Sequence, residues 1–283
     1  MSDALRPAAT AALADWAARV RADREQVDRC REVADPTDFY APVVHRFHLD
    51  PRRADDDVLA VMLEHARPDE VWLDIGAGGG RYALPIALRV REVVAVEPSP
   101  AMAETLRAGM AESGIGNVRV VQSRWPMESE PPTADVSLLA HLGYDVGEIG
   151  PFLDAMEKAA RRLCIAVMGE SAMTTVATLF WQDVHGEPRV RLPALPELLV
   201  LLLARGRLPE VRLVDRVAPA FESVEEALAM ARRQLWVREG SAKDAVLARL
   251  VRESLLERDD RFTFDRHPSK IGIVTWPPGD AIG

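Results

Sequence analysis

The residues best placed to do chemistry lie in one stretch, Asp74-Ile75-Gly76-Ala77-Gly78-Gly79-Gly80-Arg81. Val71, Leu73 and Ile75 lead into it and suit a buried parallel strand. Four of the five residues after Ile75 are glycine, so the backbone can turn tightly and approach a ligand with no Cβ in the way. From Arg81 to Val90 the pattern predicts a helix whose first amides point into that turn. Glu97 ends the run Val93-Val94-Ala95-Val96 and puts a second acid at the tip of a second strand. A carboxylate, a close backbone approach and a row of amide donors together describe a small-molecule site. A dinucleotide fingerprint G-x-G-x-x-G counted from Gly76 needs glycine or alanine at 81, where the chain has Arg81. A glycine-rich turn that binds nothing is the plain alternative.

The spacing Asp74-x-Gly76-x-Gly78-x-Gly80, with Glu97 at the next strand tip, resembles motif I of the class I S-adenosylmethionine-dependent methyltransferases. That resemblance covers roughly residues 66 to 283. It implies an α/β fold: a Rossmann-like, seven-stranded, mostly parallel sheet with helices on both faces and a last strand inserted antiparallel. It also implies S-adenosyl-L-methionine as cofactor, with Asp74, Gly76, Ala77, Gly78 and Gly80 near the methionine moiety. Glu97, followed by Pro98, would accept from the ribose hydroxyls. At the adenine end the family usually carries an acid, and this chain reads Gln122-Ser123-Arg124-Trp125. Ser123 or Gln122 could take that hydrogen bond, Arg124 lies beside them, and Trp125 could stack on the base or serve as core.

The substrate side is read from strand ends. Ala134 to His141 predicts a fourth strand, and ligands of open parallel sheets sit at the carboxyl ends of strands. His141 and Tyr144 are therefore the candidate catalytic residues, with His141 also beside the cofactor. A histidine there could take a proton from an oxygen or nitrogen acceptor; capping of the strand is its plainer role. Tyr40, ahead of motif I, and Phe180 and Trp181, in a segment able to fold over the site, are the candidate substrate contacts. His45 and His48 stand three apart with no third ligand nearby, so no metal site is expected.

These residues need a scaffold, and the pattern supplies one. Residues 1–65 read as an N-terminal helical cap, with an apolar stripe over 8–33 broken at Asp35-Pro36-Thr37. Residues 66–283 read as the methyltransferase domain. Its helices are expected after motif I, at Pro98–Gly114, Gly150–Arg162 and Leu195–Arg205; its strands also at Asn117–Val121, Leu163–Met168, Pro209–Val217 and Lys270–Trp276. A helical insertion over about 222–260 precedes the last strand, opened by the N-cap Ser223 and the acids Glu225 and Glu226.

Composition narrows the function further. The net charge is −9 over 283 residues with a pI near 5.3, so no global basic field draws in nucleic acid. Two distant cysteines form no disulfide framework. The N-terminus lacks a signal-peptide core. The longest apolar run, Leu198–Ala204, falls far short of the roughly 20 residues that span a bilayer. A cytoplasmic enzyme transferring methyl to a small-molecule acceptor is expected, with no membrane or nucleic-acid partner. A protein that binds S-adenosylmethionine or S-adenosylhomocysteine without transfer is the alternative. Oligomeric state is not legible.

Overall fold

The computed structural model describes residues 8–34, 38, 41–172, 175–258, 260–264 and 269–279. In chain order its first elements are α1 (Ala9–Cys30), a 3-10 helix (Ala41–Phe47), α2 (Asp57–Leu63), β1 (Val71–Ile75), α3 (Ala83–Ala87), β2 (Glu92–Val96) and α4 (Pro100–Ser113). Then come β3 (Val118–Val121), β4 (Ala134–Ala140), α5 (Ile149–Ala159), β5 (Ala160–Gly169), α6 (Thr175–His185) and α7 (Leu195–Ala204). The chain closes with β6 (Glu210–Asp215), β7 (Ala220–Phe221), α8 (Val224–Leu235), α9 (Ala242–Ser254), β8 (Leu255–Arg258), β9 (Arg261–Phe264) and β10 (Lys270–Trp276).

Seven strands make one sheet in the order β3-β2-β1-β4-β5-β10-β6. Five pair in parallel, and β10 runs antiparallel to both β5 and β6. Beta-branched and aliphatic residues fill β1, β2 and β5 because both faces of these strands are covered. One core lies on the face packed by α1, α5 and α7, with Trp16, Leu73, Phe152 and Trp276 in it. The other lies under α2, α3 and α4, with Met62, Trp72, Ile86 and Leu106. A third core, separate from the sheet, joins α6, α8 and α9.

Three elements differ from the sequence expectation. The helix after motif I is only Ala83–Ala87 rather than Arg81–Val90. Past its end the Asn117 side-chain amide donates to the carbonyls of Ala87, Val90 and Arg91, which satisfies acceptors the chain leaves open there. The insertion is helical only to Ser254. Leu255–Arg258 and Arg261–Phe264 form a hairpin through Asp260, at φ 60, and with β7 make a three-stranded sheet. Alternating Phe262 and Phe264 favour the strand, and Phe264 buries its ring against Phe180 and Phe221. The third difference is at β5, which begins at Ala160 instead of Leu163.

The N-terminal helix α1 is built into the main core. Trp16 is 1% exposed, and its indole N–H donates to the Val146 carbonyl at 2.9 Å. Farther along, Glu32 accepts from the Arg238 amide and the Ser241 hydroxyl, tying the end of α1 to the start of α9.

Candidate active site

The strand order places the site. β1 is flanked by β2 on one side and β4 on the other, and the connections from these strands run in opposite directions. A crevice opens at the carboxyl ends of the strands where the order reverses. There the cavity has a volume of about 400 Å³, within the range of small-molecule sites.

The glycine turn forms one wall. Gly76 sits at φ 71, and a Cβ on it would lie 2.1 Å from the tip of the Leu142 side chain, so any other residue there would hold a strained left-handed backbone and have to displace Leu142. Gly78 is also left-handed, at φ 55, but a Cβ on it would meet nothing within 4 Å. That space belongs to the cavity. Gly80 is not part of the lining; a Cβ there would come within 2.5 Å of Leu106, so its role is packing α4 close to the turn.

Four amides of this turn are spent inside the protein. Gly76 and Ala77 donate to the Val96 carbonyl, Gly80 donates to Ala77, and Gly78 donates to Glu97 Oε2 at 2.8 Å. At those four positions the expected free donors are therefore taken, and the Glu97 carboxylate stands beside them. Glu97 Oε1 accepts from the Ser99 amide, and each of its oxygens keeps a further lone pair. Burial raises the Glu97 carboxyl above its ordinary value against those two amides, and Asp38 adds to the rise. Asp74 is 3% exposed, and its Oδ2 has no partner. Burial, with the neighbouring Glu97 charge, pushes Asp74 up to about 7.

At the opposite end lie Pro98, Ser123, Arg124 and Trp125, the last held edge-on to Phe152 with its indole N–H on the Phe152 carbonyl. The chain order of β2, β3 and α5 brings these residues together around the far end of the crevice. Phe47, at the end of the 3-10 helix, covers Gly79 and lines the cavity.

His141 follows β4 at φ 58 and lines the cavity beside Arg81 and Tyr82. Its Nε2 lies 2.8 Å from the Tyr82 hydroxyl. Burial, helped by Arg81 and Arg216, lowers the imidazole to about 4, so the ring is neutral near pH 7. Tyr144 is not part of the lining: it is buried, and its hydroxyl accepts from the Gly169 amide at 2.8 Å, latching the 142–146 loop to β5. Phe180 and Trp181 are placed apart from the cavity, in the third core. Phe180 meets Phe264 edge-on, and Trp181 carries the Arg189 guanidinium over its ring. Their apolar character reflects packing of α6 against α8 and α9. Tyr40 lies outside the described residues. Among the described residues, no group of three or more His, Cys, Asp or Glu is placed to hold a metal ion. No described helix is long and apolar enough to cross a membrane.

Asp145, which follows the fourth strand as His141 does, lines the cavity, and so do Phe47, Arg81 and Tyr82. Arg81 and Tyr82 carried one usable signal: a charged and an aromatic residue directly after the glycines.

Fold and glycine turn together are similar to those of the class I, Rossmann-like methyltransferases. Residues 73–163 match the family described as "Methyltransferase domain". The YcgJ protein of Bacillus subtilis has a similar fold, with a TM-score of 0.55, 16% identity, and coverage of 79% of this chain and 98% of that one. Among curated proteins, "Probable ribosomal RNA small subunit methyltransferase A" of Methanosphaera stadtmanae is 31% identical over 70 residues, 24% of this chain and 26% of that protein. The 23S rRNA (uracil(1939)-C(5))-methyltransferase RlmD of Pseudomonas fluorescens is 30% identical over 122 residues, 42% of this chain and 25% of that protein. The chain thus spans about a quarter of the length of these curated relatives.

Proposed function

We propose that the protein is an S-adenosylmethionine-dependent methyltransferase acting on a small-molecule acceptor. One observation supports the cofactor: four amides of the turn are taken, and the carboxylates of Asp74 and Glu97 stand beside it. The pyrophosphate of a dinucleotide needs free backbone amides, and here the amides of Gly76, Ala77, Gly78 and Gly80 are already used. A ligand with an ammonium, a sulfonium and two ribose hydroxyls fits the buried acid Asp74 in the cavity wall and the spare lone pairs of Glu97. The open volume over Gly78 leaves room for it.

When bound, this cofactor supplies a methyl group on a positively charged sulfur, already activated for displacement. The protein's part is then to bind, align and keep water out. Asp74 and Glu97 would hold the ligand by charge and hydrogen bonds. Trp125, Phe152 and Phe47 would shield it, and His141 stands at the acceptor side. The small-molecule acceptor is supported by the acidic net charge and the aromatic walls of the cavity. RNA is the second reading, favoured by the rRNA methyltransferase names of the two curated relatives.

Calorimetry with S-adenosylhomocysteine and with NAD tests the cofactor; binding of NAD alone would overturn it. Tritiated methyl transfer into cell extracts, with and without ribonuclease treatment, tests the acceptor. Label that survives ribonuclease and passes a small-molecule filter is expected, and label lost with the RNA would replace this reading by the second.

A further inference from the structure

Arg81 brings a cation to the wall of the cavity, and the groups around it leave part of that charge unmatched. Its Nη2 reaches Asp56 Oδ2 at 3.0 Å, the same oxygen that accepts from Arg53 Nη2 at 3.0 Å and Nε at 3.2 Å. The other Asp56 oxygen takes the Leu59 amide at 3.0 Å, as the N-cap of α2. One carboxylate therefore serves two guanidiniums, and the group as a whole is positive. Arg53 and Asp56 are its buried part, with side chains 11% and 8% exposed, and Arg81 is its open part, at 44%. Arg53 also donates to the Arg81 carbonyl at 2.8 Å and so holds the residue by its backbone. The Arg81 guanidinium lies over the Tyr82 ring, 5.3 Å from its centroid, while its Nε and Nη1 make no hydrogen bond among the described residues. A guanidinium fixed in this way is ready for an oxygen anion, which it can meet through two parallel N–H bonds.

The side of the cavity is also fixed. Tyr82, beneath Arg81, lies 2.8 Å from His141 Nε2 through its hydroxyl. Arg81 and Asp56, with Arg216, are the charges that act on the His141 ring. The acids at the other wall feel different charges: Asp74 that of Glu97, and Glu97 that of Asp38. The remaining acid of the lining, Asp145, acts on Asp23 of α1. Arg81 thus belongs to the wall of His141 and not to that of Asp74 and Glu97.

We infer that Arg81 binds the methyl acceptor, and that this acceptor carries an anionic oxygen group, a carboxylate or a phosphate. That the ligand is a methyl acceptor rests on the transferase reading; the anion site itself does not. A neutral or cationic acceptor would leave Arg81 and a sulfonium as like charges in one cavity. An anion between them attracts both.

The test is calorimetry on the full chain saturated with S-adenosylhomocysteine, with benzoate, phenyl phosphate and neutral benzamide as probes. Their ring suits the walls formed by Phe47 and Tyr82. The tighter of the two anions is expected to bind about tenfold or more better than benzamide, as a charged hydrogen bond does. Benzoate as the tighter one points to a carboxylate, phenyl phosphate to a phosphate. Arg81→Gln, which leaves Asp56 paired with Arg53, should remove the preference, and Arg81→Lys should keep part of it. Benzamide binding as well as the anions, no binding of either anion, or a preference that survives Arg81→Gln overturns the site. The first two outcomes are read on wild-type protein and need no variant to fold. S-adenosylhomocysteine and its decarboxylated form then separate the two sources of a carboxylate. Arg81→Gln is expected to weaken neither; a loss confined to S-adenosylhomocysteine would give Arg81 to the cofactor's own carboxylate and overturn the acceptor assignment. Failure of S-adenosylhomocysteine to bind wild-type protein would fall on the transferase reading instead, with the anion preference still measurable in the free protein.

Discussion

The Glu97 carboxylate accepts the backbone N–H of Gly78 at 2.8 Å. This bond joins the two halves of the candidate cofactor site across neighbouring strands, whose register pairs Ile75 with Val96. Each residue gives a separable prediction.

For Gly78 the prediction is loss of binding with the fold kept. A Cβ there meets no protein atom within 4 Å, so Gly78→Ala pays mainly for its left-handed backbone, about 1–2 kcal/mol. The added methyl stands in the space assigned to the ligand. Thermal unfolding should move by a few degrees, while affinity for S-adenosylhomocysteine, read by calorimetry, should fall by an order of magnitude or more. Unchanged affinity would mean that the ligand lies elsewhere in the cavity.

For Glu97 the change to Ala removes acceptors for ribose hydroxyls. The expected loss of cofactor affinity is about 1.5–3 kcal/mol, the range for hydrogen bonds to charged groups. Glu97→Ala also frees the amides of Gly78 and Ser99. Variant protein that binds as tightly as wild type would remove Glu97 from the site.

Much of this arrangement was legible in the chain. Asp74, the glycines and Glu97 identify themselves because backbone geometry and strand register fix their positions, and both can be counted along a sequence. The partners of those groups were not legible. That the Gly76 and Ala77 amides would be consumed by Val96, or that Asn117 would bond the carbonyls past α3, depends on which strand lies next to which. Tyr144 and Trp181 had the right chemistry for a substrate pocket, yet burial against Gly169 and Arg189 uses them as structure. Aromatic residues look alike in a sequence whether they line a cavity or fill a core. The hairpin at 255–264 was hidden by the helical pattern running into it, although Phe262 and Phe264 alternate as a strand requires.

Asp74 should couple affinity to pH. Its folded carboxyl titrates at about 7, against the ordinary 3.8. A cationic ligand favours the ionised form, so cofactor affinity should rise with pH up to about 7 and flatten above it, by at most about tenfold per pH unit below that point. Calorimetric titrations from pH 5.5 to 8 check this; affinity falling across that range would show that the ligand favours the neutral acid, and a flat profile that Asp74 takes no part in binding.

The same group sets a trade between stability and binding. A folded value above the unfolded one means that the fold takes up a proton, so stability is lost as pH rises from about 4 through about 7. Asp74→Asn cannot ionise and keeps the shape of the side chain and one carbonyl oxygen. It should melt higher than wild type at pH 8 and about equally at pH 4, while binding the cofactor more weakly. A variant that melts lower at pH 8 would show that the buried charge is matched by partners the fold already supplies.

Trp16 offers a test of how α1 supports the site from the far side of the wall. Its indole N–H holds the Val146 carbonyl at 2.9 Å, and Val146 and Asp145 line the cavity. Arg24, two turns along α1, donates to the Asp145 carbonyl at 2.9 Å. Trp16→Ala empties a fully buried site and should cost about 3–5 kcal/mol of stability, which would blur any effect on binding. Trp16→Phe keeps most of the apolar volume and removes the N–H, leaving the Val146 carbonyl unmatched at about 1–3 kcal/mol. The loop then loses one of its two anchors to α1. Cofactor affinity measured well below the melting temperature should drop in Trp16→Phe, and hydrogen exchange should speed up over residues 142–148. If exchange in that loop stays slow and affinity is unchanged, α1 contributes core packing alone and the cavity wall stands without it.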